Sequence, residues 1–138
     1  MKATKIYMRD SGMLHQLSNV HNMNALKGHP VVGSSWEGYI VEQVKQLKPA
    51  KIDMYYYRTQ SGAEYDIVLA KGIHPLACIE VKLNNAPSIS KGNLQSISDL
   101  ETKKNVVVVP DVEEYKTRDK IIICNTATFL NKYLPKIT

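Results

Sequence analysis

EYDIVLAKGIHPLACIEVK, residues 64–82, decides how this chain is read. Tyr65, Ile67 and Leu69 alternate with Glu64, Asp66 and Val68, the period of two that marks a strand. Leu76 to Lys82 is a second apolar run, and Lys71-Gly-Ile-His-Pro75 supplies turn residues between the two. A hairpin turning about Ile73 places Asp66 opposite Glu80 and Glu64 opposite Lys82. A bulge near Pro75 would shift that register. Directly opposed residues share one face of the sheet, as do residues two apart. Glu64, Asp66, Glu80 and Lys82 are therefore expected on one patch. Like charges opposed across strands are unfavourable. An Asp facing a Glu needs a reason, and a divalent cation held between them supplies one.

Working outward, Trp36, Ile40, Val44 and Leu47 recur at helical spacing, Val41 widens the stripe, and Pro49 stops it. Ser34 or Ser35 is the expected cap. Glu37 then completes a capping box, and a carboxylate there also suits the positive end of the helix dipole. Lys51 to Arg58 (KIDMYYYR) is an aromatic strand, closed by Thr59-Gln-Ser-Gly62. After the hairpin, Ser90 to Thr102 reads as a helix with Leu94, Ile97, Ser98 and Glu101 along it. Asn105 to Val109 (NVVVV) reads as a strand buried on both faces. Lys120 to Cys124 is a last short strand, and Thr126 or Thr128 opens a final helix.

Towards the N-terminus, Ala3 to Met8 is an extended lead-in. Asp10 or Ser11 caps a short helix carrying Met13, Leu14 and Leu17. Val20 to Val32 is polar and irregular. His15, His21 and His29 place no pair on one helical face, so they read as solvated rather than metal-binding. The order helix, three strands, helix, strand predicts an α/β (α+β) fold with a mixed central sheet flanked by helices.

At 138 residues the chain, 1–138, is expected to form one domain. The formal charge of +5 permits a polyanionic partner without demanding one. The lysines are dispersed, with one loose cluster at Lys116-Thr-Arg118-Asp-Lys120. Cys78 and Cys124 sit in separate apolar runs, and are expected buried and reduced, as in a cytoplasmic protein. No run approaches the roughly 18 apolar residues of a membrane span, and no signal peptide opens the chain.

The candidate chemistry follows from the hairpin. Two carboxylates on adjacent strands can hold one hard cation, Mg²⁺ or Mn²⁺, which needs few protein ligands when waters and phosphate oxygens complete its shell. Lys82 projects beside them, where it can stabilise charge developing on a phosphoryl group or help to deprotonate an attacking water. The same residues also admit a plain reading, in which Glu64 and Lys82 form a surface ion pair and Glu37 only caps its helix.

Asp66 followed by Ile79-Glu80-Val81-Lys82 resembles the Asp…Glu-x-Lys motif of the PD-(D/E)XK, or restriction-endonuclease-like, superfamily. The element order resembles that superfamily's αβββαβ core, and Glu37 stands where many members carry a further acidic residue. More closely, the chain is similar to a nuclease-like domain that ends many bacterial and archaeal AAA-type ATPases. The matching segments are Lys5-Ile-Tyr-Met-Arg-Asp-Ser-Gly-Met-Leu14, Trp36-Glu37, Tyr56-Tyr-Arg58, Gly62-Ala-Glu-Tyr-Asp66 and Ile79-Glu-Val-Lys82. Tyr65 stands where the motif's name has Pro. The resemblance implies a site of Glu37, Asp66, Glu80 and Lys82, with Glu37, Asp66 and Glu80 as metal ligands. It implies Mg²⁺ or Mn²⁺ as cofactor, DNA as substrate, and a longer protein whose ATPase region precedes this domain. The chain holds no Gly-x-x-x-x-Gly-Lys-[Ser/Thr] phosphate loop of its own. Two functions follow: a metal-dependent DNA nuclease domain, or a catalytically silent module that binds nucleic acid or regulates the attached ATPase.

Overall fold

A computed structural model describes residues 6–138. Helices α1 (Ser11–Leu17), α2 (Met23–Gly28) and α3 (Val32–Leu47) precede strands β1 (Asp53–Arg58), β2 (Glu64–Lys71) and β3 (His74–Val81). Helix α4 (Lys91–Leu100) leads to β4 (Lys104–Val109), a two-residue β5 (Tyr115–Lys116) and β6 (Ile122–Asn125). A final helix starts as α5 (Thr126–Thr128) and continues through a π turn (Phe129–Tyr133) and a 3-10 turn (Leu134–Lys136). Asn125 caps it, its side chain accepting from the Thr128 N–H.

The six strands form one mixed sheet in the order β1-β2-β3-β4-β6-β5. The first three are antiparallel neighbours, whereas β3, β4 and β6 run parallel. Strand β4, read as buried on both faces, occupies the centre beside β3. The expected helix–three strands–helix–strand order is present as α3-β1-β2-β3-α4-β4. Gly72 takes φ +60 in the two-residue turn of the hairpin, a conformation that a residue with a Cβ adopts only under strain.

The expected hairpin register holds as far as Ile67 and Ile79, one residue short of the acids, and a bulge makes it hold. Lys71 pairs with His74 and Ala70 with Pro75, but Leu69 pairs with Ala77, leaving Leu76 as an extra residue. Beyond that bulge Val68 faces Cys78 and Ile67 faces Ile79.

Alternation then sorts the side chains into two layers. Ile67, Leu69, Ile79, Val81, Val106 and Val108 pack beneath α3 and the final helix, against Ile40, Val44, Phe129 and Leu134. On the opposite face Tyr65, Val68 and Cys78 form one cluster, and Val107, Val109, Ile121 and Ile123 another. Ile97 of α4 packs against both. Cys78 and Cys124 are buried free thiols, as expected.

Several local expectations are corrected. Helix α3 begins at Val32, a turn before Ser34, so Ser34 and Glu37 form no capping box; the Ser34 hydroxyl donates to the Val31 carbonyl instead. Leu47 is 55% exposed, so the buried stripe of α3 ends at Val44. The stretch 20–32 is not irregular throughout: Asn22 caps α2. His15 hydrogen-bonds Ser35 at 2.7 Å and so ties α1 to α3. Leu94 is 37% exposed, and α4 instead turns Asn93, Ser96 and Ile97 inward. The lead-in Ala3 to Met8 lies partly outside the described residues, and Ile6 to Met8 forms no strand. No described helix is long and apolar enough to cross a membrane.

The α3 correction can be checked by truncation. Ile40 is fully buried, so Ile40→Ala should cost about 2–5 kcal/mol in chemical denaturation. Leu47→Ala should cost less than about 1 kcal/mol. Equal losses would mean that Leu47 packs as the sequence stripe suggests.

Candidate functional site

The site forms where β2 and β3 part. Opposite the single residue Tyr56 of β1, strand β2 places two residues, Asp66 and Ile67, since Tyr55 pairs with Val68 and Tyr57 with Tyr65. That bulge re-aims Asp66 towards β3. Lys82 N–H bonds the Val108 carbonyl in β4 at 2.9 Å, so the preceding N–H, that of Val81, points towards β2. Asp66 Oδ2 accepts it at 2.9 Å, in a buried bond. A side-chain oxygen has replaced a ladder carbonyl, and this holds the Asp66 carboxylate beside the end of β3.

Glu80 lies one residue earlier. Ile79 and Val81 take the face beneath α3, so Glu80 between them points to the other face, with Cys78. Its residue is 7% exposed and that of Asp66 9%. Burial pushes the Glu80 carboxyl up to about 7, and the neighbouring Asp66 charge adds to the rise. Lys82 pulls the other way, with Nζ 2.6 Å from Glu80 Oε1. Burial disfavours the Lys82 charge, but Glu80, then Asp66 and Glu37, outweigh it and hold the amine above its usual range. Glu80 Oε2 is buried and has no hydrogen-bond partner among the described residues, and the same is true of the Tyr65 hydroxyl. Burial, with Cys78 and Glu80 beside it, pushes the Tyr65 phenol up.

The structure thus gathers Asp66, Glu80 and Lys82. Glu37 rides on α3 and accepts a hydrogen bond from the Tyr7 hydroxyl. Its charge reaches Lys82. Among the described residues, no three His, Cys, Asp or Glu side chains converge as a metal-binding group. Glu64 does not join the patch either, contrary to the expected Glu64–Lys82 pairing. The β2–β3 ladder ends at Ile67 and Ile79, and Glu64 instead pairs with Arg58 of β1 at 3.6 Å.

Two supporting contacts escape a pattern search. Trp36 Nε1 donates to the Lys82 carbonyl at 3.2 Å, pinning α3 to the end of β3 and setting Glu37 near Lys82. Asn93 of α4 donates to the Glu64 carbonyl at 3.3 Å and closes a capping box with Ser90, so α4 fixes the start of β2. Adjacency of Trp36 to Glu37 was the only sequence signal for the first. Nothing in the sequence signalled the second.

A buried acid pair with an unsatisfied oxygen fits a hard cation. Two carboxylates suffice for Mg²⁺ when waters and phosphate oxygens fill the remaining positions. Without one, the pair is a local liability. Below pH 4.5 both folded and unfolded chains keep the Glu80 proton; between about 4.5 and 7 only the folded chain does. Stability therefore falls as pH rises through that window and levels off above it. The loss is on the order of 3 kcal/mol. Glu80→Gln stays neutral, so in EDTA its melting-temperature advantage over wild type should grow by several degrees from pH 5 to pH 8. An advantage that does not change with pH would show that Glu80 is not held protonated by its surroundings.

Comparison with known proteins places this site inside a family. Residues 32–129 match the family described as a domain of unknown function, DUF4143, a span running from the start of α3 into the final helix and containing all four candidate residues. The uncharacterized proteins Mb2031c of Mycobacterium bovis and Rv2008c of Mycobacterium tuberculosis are each 34% identical over 121 residues. That alignment takes in 88% of this chain but only 27% of each relative, so the chain spans about a quarter of their length. Among solved structures, a half-complex from a tetradecameric assembly of Thermococcus gammatolerans McrB AAA+ hexamers with bound McrC is similar over 67% of this chain and 27% of its own. The identity there is 17% and the TM-score 0.43. Because the family match spans most of its length, this chain belongs to the DUF4143 family, a domain of unknown function.

Proposed function

We propose that this domain is a Mg²⁺- or Mn²⁺-dependent phosphodiesterase acting on DNA and attached to an ATPase region of a longer protein. The observation that carries the reading is the buried Asp66–Glu80 pair, with Glu80 Oε2 unsatisfied and the Lys82 ammonium 2.6 Å from the other oxygen. Burying two like charges together is unfavourable, and a structural role would be served better by apolar residues of the same size. Asp66 and Glu80 would hold the ion, with Glu37 approaching at most through water. A bound divalent ion would neutralise the pair and polarise a phosphoryl oxygen. Lys82, held charged by the surrounding acids, orients the attacking water and stabilises the charge that grows on the phosphoryl oxygens. The ATPase attachment rests on the resemblance of the segments from Lys5 to Lys82 and agrees with the greater length of the curated relatives.

One observation favours the alternative of a silent module that binds nucleic acid or regulates the ATPase. No third acid converges on Asp66 and Glu80 among the described residues. A cleavage assay on single- and double-stranded DNA, with Mg²⁺ or Mn²⁺ and an EDTA control, separates the two. Lys82 acts on charge that appears in the transition state, so Lys82→Ala should lower cleavage at least about 100-fold while DNA affinity changes little. Glu80→Ala should lose both cleavage and the thermal shift produced by Mn²⁺. Cleavage that survives in both variants marks a contaminating enzyme. Wild type that binds DNA without cutting it, even with the ATPase region restored, is the silent module.

A further inference from the structure

At the other end of the parallel strands, where β4 and β6 begin, lies a cleft of about 360 Å³. Val106, Ile122, Ile137 and Tyr133 give it an apolar lining, with Val106 and Ile137 buried. Around it stand Lys103, Lys104, Lys116, Lys120 and Lys136, all exposed, and no Asp or Glu lines it. Two acids stand at its margin: Glu101 lines the adjoining pocket with Lys103 and Lys104, and Glu114 accepts from the Tyr133 hydroxyl at 2.9 Å while pairing with Lys132, whose amine lies 5.3 Å from the Tyr133 ring. The Lys104 amine donates to the Lys136 carbonyl, joining the start of β4 to the end of the final helix. Among the described residues none of the five lysines forms an ion pair; the carboxylates that do are taken by Arg9, Arg58, Lys82 and Lys132.

Five of the 18 Lys and Arg therefore stand around one cleft with no acid in its lining, a local excess of positive charge. Like charges around one cleft repel each other and together attract an anion. The volume falls near the lower end of small-ligand sites, about 300–1,000 Å³, which suits one nucleotide and excludes a duplex. A cationic rim takes phosphates, and an apolar floor with one aromatic ring takes a base.

We propose that this cleft binds a nucleotide, its phosphates on the lysine rim and its base against Tyr133, Ile122 and Val106. The nucleotide is either a free nucleoside polyphosphate or one unit of a DNA strand. The cleft shares no residue with the Asp66–Glu80 site, and the inference stands whether or not that site cleaves.

Titration calorimetry in EDTA tests it with three probes: ATP, inorganic tripolyphosphate and a single-stranded oligothymidylate. ATP or the oligonucleotide should bind wild type, and Lys116→Glu/Lys120→Glu should weaken that binding at least tenfold. Lys116→Arg/Lys120→Arg should retain it, which separates lost charge from lost folding. Binding of ATP alone identifies a free nucleotide as the ligand, and binding of the oligonucleotide alone identifies a strand. Tripolyphosphate binding as tightly as ATP would overturn the base-binding floor. No binding by any probe, or equal binding in the Lys→Glu variant, would overturn the site.

Discussion

The hydrogen bond from the Val81 N–H to Asp66 Oδ2 is the contact on which the acidic site depends. Strand β3 makes a full parallel ladder with β4, so each alternate N–H on its other edge must find an acceptor on the side of β2. The bulge at Asp66 and Ile67 takes the β2 backbone away at that point. The Asp66 carboxylate supplies the missing acceptor, and in doing so is fixed next to Glu80. One irregularity in one strand therefore does two things: it satisfies a buried donor and brings two carboxylates together in a place with little water.

The consequences are electrostatic. Glu80 cannot ionise cheaply beside Asp66 and out of water, and its carboxyl rises to about 7 even with Lys82 at 2.6 Å. An arrangement of this kind weakens the metal-free fold near neutral pH, and it supplies charge and an unsatisfied oxygen for a cation to use. The supporting contacts share a logic. Trp36 anchors α3 to the Lys82 carbonyl and Asn93 anchors α4 to the Glu64 carbonyl, so the two strands that diverge at the site are each held by a helix from a different face. Glu37 is brought within electrostatic reach of Lys82 by the first of these anchors, although among the described residues no three acids converge as a metal-binding group.

The sheet thereby has two chemically opposite ends. Its buried acid pair lies where β3 finishes, and a ring of five lysines lies where β4 and β6 start. Parallel neighbours make this separation possible: β3 and β4 run the same way, so a carboxylate late in one and lysines early in the next cannot meet and neutralise each other.

The sequence alone determined the element order, the central hairpin and the buried β4, because alternation and apolar runs are local patterns with a fixed period. It also placed Asp66, Glu80 and Lys82 together, since i, i+2 residues share a face, although a turn about Ile73 gives the right register only because the Leu76 bulge offsets the Gly72-Ile73 turn. It misplaced the start of α3 and the exposure of Leu47 and Leu94, because an apolar stripe shows that a helix has a buried side but not where the sheet beneath it ends. Only the tertiary structure decided that Glu64 turns to Arg58, and that the Tyr65 hydroxyl and Glu80 Oε2 find no partner among the described residues. Each depends on the two bulges, which are set by how three strands fit together. The lysine cleft is the clearest case. Lys103 and Lys104, Lys116 and Lys120, and Lys136 lie in three separate parts of the chain, and only the side-by-side closure of β4, β6 and the final helix brings their charges to one point.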